Sequence, residues 1–378
     1  MTTESPGFFW TVLSFLLVIG PLIFVHELGH YFVGRWFGVK ADVFSIGFGR
    51  EVAGWTDKRG TRWKLGWLPL GGYVKFAGDM NPASQPSAEW LALPPEERNR
   101  TFQAKPVWQR FLIVLAGPVT NFLLAIVMIA GFLMVLGEPR TPPVIGAVQP
   151  GSGAAEAGLQ PGDRIVEIDG SSVSHFSDIA RKVILRPGER MNVRFQRSGQ
   201  ARETNVLAKP VVERDKFGNE FKKGQLGIGP AEVVIEPVSI GGALTGSVRM
   251  TWHVVTTTVE GLGQIITGRR SVKELGGPLK IAKFSGEQAS LGLLAFLWFV
   301  AVISINLGFI NLLPIPMLDG GHLLLYGIEG VRRKPLRPEA QEWAFRTGLA
   351  ALLALMIFVT MNDLASFGLW SKLGGLID

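Results

Sequence analysis

The chain has 378 residues, 47% of them hydrophobic and 18% charged, with a formal net charge of +7. Charge is low against the roughly 25% usual for soluble domains, and many basic residues flank apolar runs, so the positive balance points to anionic lipid headgroups and excludes nucleic acid as a partner. Cysteine is absent, which removes disulfide frameworks and leaves His, Asp or Glu as the ligands for any zinc.

The first element runs from Ser5 to Val25 without a charged residue and then enters His26-Glu27-Leu28-Gly29-His30. It reads poorly as a signal peptide: residues 1–10 carry no Lys or Arg, and the apolar run leads into this pentad rather than a cleavage site. An H-E-x-x-H pentad on a helix places two imidazoles one turn apart on one face, where both reach a single zinc, and the glutamate can take a proton from water. The next segment, Gly34 to Arg110, holds twelve Lys or Arg residues. Within it Val43–Gly49, Thr61–Leu65 and Gly71–Phe76 read as strands, with Asp57-Lys58-Arg59-Gly60 as a turn. An exposed edge at Gly71, Gly72, Tyr73 and Val74 could pair with an extended substrate by strand addition.

A second uncharged run, Phe111–Gly137, precedes the long segment Glu138–Gln288. There Ala157-Gly158-Leu159-Gln160-Pro161-Gly162-Asp163-Arg164-Ile165-Val166-Glu167-Ile168-Asp169-Gly170 resembles the signature of a PDZ domain, and it occurs once. The resemblance implies binding of extended peptides or C-terminal carboxylates, and a screen on substrate size. A structural spacer is the plainer reading. Ala243–Ile266 reads as an amphipathic helix on the outer membrane surface, because a fifth span would have to bury Arg249, His253 and Glu260.

The third run, Ala289–Leu318, contains Asn306 and Asn311, is broken by Pro314 and Pro316, and ends at Asp319-Gly320-Gly321. A carboxylate at the end of such a run is costly unless paired or metal-bound, so Asp319 is a candidate third ligand, with His322 as its rival and helix capping as the other role. His175 and His253 read as surface or packing residues. The fourth run, Thr347–Asn362, is extended by Trp343, Ala344 and Phe345.

The basic connections set orientation: the segment after the first run and the Arg332–Arg337 loop should be cytoplasmic, and Glu138–Gln288 extracytoplasmic. His26 then lies about 18 residues into its span, roughly 27 Å deep. That is close to the full ~30 Å hydrocarbon thickness. Asp319, ending a span of the same direction, should reach the same cytoplasmic level.

HELGH in the first span, with Asn311, Pro314, Pro316, Leu318, Asp319, Gly320 and Gly321 in a later one, resembles the site-2 protease family of intramembrane zinc metalloproteases. The bacterial regulator of sigma-E protease branch is the nearest pattern. Gly71–Lys75, Ala116–Phe122 and Lys273–Pro278 also match. The resemblance implies one zinc per chain held by His26, His30 and Asp319, with Glu27 activating water. It implies that Asn306 and Asn311 hold or unwind a substrate helix, and that a membrane-reentrant β-region lies beside the site. The expected substrates are single-span proteins such as membrane-bound anti-sigma factors, and remnant signal peptides, in a bacterial inner membrane.

The expected fold is thus a polytopic α-helical membrane protein with about four transmembrane helices, a cytoplasmic-side β-region and one extracytoplasmic PDZ (α+β) domain. Residues 1–37 form the first span and 38–106 the β-region with its loop. The second span is 107–137, the PDZ domain 138–230 and the juxtamembrane segment 231–288. The third span is 289–318, a cytoplasmic loop 319–343, the fourth span 344–362 and a tail 363–378. The rival functions are a non-catalytic PDZ-bearing membrane scaffold with a structural metal, which would not need Glu27, and a transporter, for which no inverted repeat is visible.

Overall fold

The computed structural model describes residues 7–78, 94–184, 186–214, 220–268, 272, 276–334 and 336–366. The tail after Ser366, the loop 79–93 and motif residues 273–275 lie outside these. The chain runs α1 (Phe8–Trp36), β1 (Ala41–Thr56), β2 (Arg62–Phe76), α2 (Pro95–Arg98), α3 (Val107–Leu136), β3 (Glu138–Arg140), β4 (Ile145–Val148) and α4 (Gly153–Glu156). It continues through β5 (Arg164–Ile168), β6 (Ser171–Ser172), α5 (Phe176–Val183), β7 (Arg190–Arg197), β8 (Gln200–Leu207), β9 (Lys209–Arg214), β10 (Glu220–Gln225), β11 (Ile228–Pro230) and β12 (Val234–Glu236). It closes with α6 (Ile240–Ile266), α7 (Pro278–Ser290), α8 (Leu293–Leu312), α9 (Asp319–Arg332) and α10 (Pro338–Ser366). Residues 1–129 with 246–378 make one unit, and 130–245 the other.

Among the described residues, four helices are long and apolar enough to cross a membrane: α1, α3, α8 and, within α10, Gln341–Ala365. A helix closes its own backbone hydrogen bonds, which is what a bilayer demands of a spanning segment. Their outer faces expose Leu17, Leu123, Val127, Leu353 and Ile357, a surface suited to lipid rather than water. Inside, Val18, Leu22 and Val300 pack together. A second cluster of Tyr31, Val39, Phe44, Phe76, Ile113 and Tyr326 ties α1, the β-region, α3 and α9 into one core.

The third apolar run is shorter than its composition suggests. Helix α8 stops at Leu312, where Leu313 turns extended (φ −63°, ψ 140°), because Pro314 and Pro316 cannot continue the ladder. Met317 takes a left-handed φ of 80°. The chain then starts α9 at Asp319, so most of the expected 319–343 loop is helical: Leu323, Tyr326 and Glu329 are buried one turn apart, a pattern the flanking Arg332-Arg333-Lys334 cluster masks. A Cβ at Gly320 would collide with the Leu312 and Leu313 carbonyls, and one at Gly321 would lie 2.5 Å from the Ile315 carbonyl oxygen. The two glycines therefore let α9 fold back on the end of α8. The fourth helix extends beyond the expected span at both ends. Helix α6 covers the Ala243–Ile266 stretch expected to be helical, and a further helix, α7, follows it in the juxtamembrane segment. Buried Asp363 of α10 accepts from the backbone N–H groups of Gly277 and Lys280, both at 3.1 Å, closing the N-terminus of α7.

The β-region is two long bent strands that pair twice. Phe44 lies opposite both Val74 and Trp63, and Trp55 opposite Trp63. The lateral order is therefore 72–76, 41–46, 62–65, 53–56. Asp57 closes the turn by accepting from the N–H groups of Arg59 and Thr61. Among the described residues no strand pairs with the outer edge of 72–76.

The second unit is a small α+β domain with a four-stranded sheet in the order β6-β5-β7-β8. Alternation sends Met191, Val193 and Phe195 of β7 inward, onto Ile165, Ile168 and Val206, with α5 adding Ile179 and Val183. The signature loop before β5 is built on Asp163, which accepts from Gln160 N–H at 2.8 Å and from Arg197 Nε and Nη2 at 2.7 Å each.

Candidate metal centre

Helix α1 delivers His26 and His30 on one face, as the four-residue spacing requires. Their Nε2 atoms lie 3.2 Å apart. Asp319, in the first turn of α9, comes to them from the far end of the chain: Oδ2 is 3.0 Å from His26 Nε2 and Oδ1 is 3.6 Å from His30 Nε2. Its side chain does not cap α9, whose N-cap is Leu318 without a side-chain bond. All three donor atoms fall within 4.8 Å of one another.

Three observations fit this set to a metal ion. Asp319 Oδ2 is buried and accepts no hydrogen bond despite the imidazole beside it, an arrangement that is expensive unless a cation supplies the missing partner. His30 turns its other nitrogen outward, with Nδ1 2.9 Å from the Ile113 carbonyl oxygen, which fixes the ring and leaves Nε2 for a metal. Two imidazoles and one carboxylate, with no thiolate, form the donor set of a catalytic zinc that keeps a fourth position open.

Glu27 is buried between the two histidines in sequence and faces the β-region. Val74 of that region lines the same cavity as Glu27, and a Cβ at Gly72 would come within 2.9 Å of Glu27 Cγ. Gly72 is thus the residue that lets the strand 72–76 lie against the acid. The triad, Glu27, Gly71, Gly72, Tyr73, Val74 and Asn311 all line one cavity of about 800 Å³.

Asn306 does not reach this cavity. Its Oδ1 accepts from Thr258 of α6 at 3.0 Å, and its Nδ2 donates to the Val302 carbonyl at 2.9 Å. His322 lines the cavity but packs on Phe345, with ring centroids 4.7 Å apart, outside the converging set. His175 shares a capping box with Asp178 at the start of α5, and His253 sits on α6.

Two residues of the Ala116–Phe122 stretch prove central although spacing alone gave them no role. A Cβ at Gly117 would overlap His30 Nε2 and lie 2.9 Å from His26 Cε1, so only glycine lets α3 pass behind both rings. Asn121 is fully buried, with Nδ2 3.2 Å from His26 Nδ1. A glycine and an amide inside an otherwise apolar span were the available signal.

A family model described as Peptidase family M50 matches residues 14–355. A protein of Agrobacterium fabrum with the name "Putative zinc metalloprotease" is 44% identical over 361 residues, 94% of this chain and 96% of that one. A namesake from Rhizobium meliloti is 42% identical over 360 residues, with the same two coverages. Metalloprotease MmpA of Caulobacter vibrioides is 38% identical over 394 residues, 98% of this chain and 99% of its own. Among solved structures, the PDZ domain of an SdrC-like protein from Listeria monocytogenes is 18% identical with a TM-score of 0.19, covering 25% of this chain and 93% of that domain. The chain belongs to peptidase family M50 and is a membrane metalloprotease.

Proposed function

We propose that this M50 peptidase is a zinc-dependent intramembrane endoprotease that hydrolyses peptide bonds within the transmembrane segments of single-span proteins. The observation that carries this reading is the shared cavity. His26, His30 and Asp319 converge at the end of an apolar helix, and the unpaired edge of 72–76 lines the same space.

A helical substrate hides its carbonyls in its own hydrogen bonds, so it must be drawn out before hydrolysis. The 72–76 edge offers backbone groups that an extended segment can pair with, and Asn311 offers an amide in the same cavity. The ribbon beyond this edge exposes Phe48, Val52, Trp55, Trp67 and Leu68, an apolar surface that supports insertion of the β-region into lipid. His26, His30 and Asp319 would hold the zinc, one ion per chain. When bound, zinc supplies Lewis acidity toward the scissile carbonyl and acidifies water. Glu27 takes the proton of the attacking water on a carboxylate oxygen and returns it to the leaving nitrogen. Glu27 and Val74 line the same cavity, so a segment paired along 72–76 would run beside that carboxylate.

The proposed setting is a bacterial inner membrane, with the metal centre near the cytoplasmic face and residues 138–230 outside. There the PDZ-like unit would bind an extended segment or a substrate C-terminus in the groove between α5 and Gly224–Ile228, which Ile179, Val183 and Leu226 line. Anti-sigma-factor-like proteins and remnant signal peptides are the proposed substrates, in regulated intramembrane proteolysis.

The deciding experiment is Glu27→Gln in the full chain with a transmembrane substrate. Zinc content should be unchanged and the cleavage rate should fall by about 10²–10⁴, the usual scale for a lost general acid–base group. Cleavage at the wild-type rate would overturn the mechanism, and would favour a metal that is only structural.

A further inference from the structure

We propose that Asn121 is a positioning residue that presents its side-chain carbonyl to His26 Nδ1–H and so fixes the tautomer His26 needs to bind metal through Nε2. The inference rests on the zinc reading of the triad. It begins with proton bookkeeping. A neutral imidazole has one donor and one acceptor nitrogen. If Nε2 gives its lone pair to a metal, Nδ1 must carry the proton, and its neighbour must be an acceptor.

The neighbour is the amide of Asn121, whose Nδ2 is 3.2 Å from His26 Nδ1. Its Oδ1 is buried and makes no hydrogen bond, so nothing holds the oxygen where it is. A half-turn of the planar amide exchanges the two ends within the same volume and brings Oδ1 onto Nδ1–H. The turn breaks no other side-chain bond. The backbone stays fixed, because Ser304 of α8 donates to the Asn121 carbonyl at 2.8 Å. His30 shows the same logic: its Nδ1 meets the Ile113 carbonyl, which can only accept. Helix α3 then serves both imidazoles, one through a main-chain oxygen and one through a side-chain oxygen.

The test compares Asn121→Leu, which keeps the branched shape and removes the acceptor, with Asn121→Asp, which can only accept. Both are made in the full chain, purified in detergent and checked for folding by thermal denaturation. Zinc affinity is read by chelator competition, without substrate. The Leu variant should bind zinc about 10–100-fold more weakly, the usual loss for an outer-shell partner of a metal-bound histidine. The Asp variant should bind at least as tightly as wild type, because a carboxylate behind the ring raises ligand basicity. Wild-type affinity in a folded Leu variant would overturn the proposal. So would a folded Asp variant that has lost zinc, since that is the outcome if Asn121 acts through its NH₂ group. Should neither variant fold, the zinc-loaded wild type decides by histidine ¹H–¹⁵N spectra. A His26 Hδ1 signal shifted downfield of a free imidazole N–H supports the bond, and an unshifted signal overturns it. Loss of zinc in His26→Ala, checked alongside, separates failure of this inference from failure of the zinc reading itself.

Discussion

Two aspartates, the buried Asp163 of one unit and the partly buried Asp319 of the other, are treated in opposite ways. Asp163 in the 130–245 unit is 1% exposed and saturated: both oxygens meet Arg197, and one also takes a backbone N–H. Asp319 in the helical unit has one oxygen with no hydrogen bond, turned toward two imidazoles whose outer nitrogens are already engaged. A buried charge needs compensation in either case. Where the protein supplies all of it, the group is structural. Where it leaves one coordination direction open at the wall of a cavity, the missing compensation is a ligand.

The sharpest way to break this contrast is to remove one charge from each. Asp319→Asn should reduce zinc occupancy and cut cleavage of a transmembrane substrate at least 100-fold, while the 130–245 unit unfolds as before. Asp163→Asn should do the reverse. It should destabilise that unit by about 1–3 kcal/mol, the cost of buried polar groups left without a charged partner, and leave zinc content intact. Equal zinc loss in both variants would erase the distinction.

Next in size is Gly117→Ala. Its methyl group would occupy the space of the His30 ring, so α3 must shift or the ring must turn. Zinc affinity should fall about 10–100-fold, like an outer-shell defect, although alanine is the better helix former. Titration of purified protein with a chelator checks this. An unchanged affinity would mean that α3 yields more easily than its packing on Gly29 suggests, where a Cβ would meet the Ala116 carbonyl oxygen at 2.5 Å.

How much of this was legible in the sequence depends on how local the signal is. The His26–His30 pair follows from helical periodicity alone. Asp319 was a candidate from the cost of a carboxylate ending an apolar run and from its matching depth, with His322 as a rival, and its place as third ligand was what the family resemblance implied. The asparagines of the third run were harder. Asn306 and Asn311 are five residues apart, about 140° around a helix at 3.6 residues per turn, so they cannot face one cavity from a continuous α-helix. That separation was readable, and it agrees with Asn306 bonding to α6 while Asn311 lines the site. Gly117 and Asn121 stood out only as a glycine and an amide in an apolar span; their roles were not readable, because these exist only where α3 crosses α1. The helix at 319–332 was obscured by its basic C-terminus, although buried Leu323, Tyr326 and Glu329 mark its inner face. Glu329 holds Arg110 at 3.2 Å and accepts from Leu336 N–H at 3.0 Å, a pairing across more than two hundred residues that no window of sequence reveals.

A smaller effect is expected at the edge strand. Tyr73→Pro removes a backbone N–H from 72–76 and stiffens it, and each lost backbone bond is worth about 1 kcal/mol. If an extended substrate pairs there, cleavage should fall about tenfold with zinc affinity unchanged. Parallel loss of both would place Tyr73 with the supports of the metal centre instead. No change in cleavage would remove strand addition from the mechanism.

The smallest and most gradual effect is the response of the 130–245 unit to acid. Burial alone would raise the Asp163 carboxyl, but the Arg197 hydrogen bonds and the Gln160 N–H outweigh it and hold it below the usual Asp range. Asp178 is held low against its own burial by the N–H groups of His175 and Ser174 and by Arg181. Asp169 is held low chiefly by Arg186. A carboxyl that binds its proton less readily folded than unfolded stabilises the fold fully above the unfolded value of about 3.9. That contribution fades as pH falls through the depressed folded values. The urea midpoint of this unit in the full chain, read by a brief pulse of deuterium exchange, should therefore be flat from neutral pH down to about 5 and decline below it. Asp163→Asn should start from a lower midpoint and decline less, with a residual slope from Asp169 and Asp178. A variant that keeps the whole wild-type slope would show that Arg197 does not hold the Asp163 proton off, and the saturated half of the contrast would lose its physical basis.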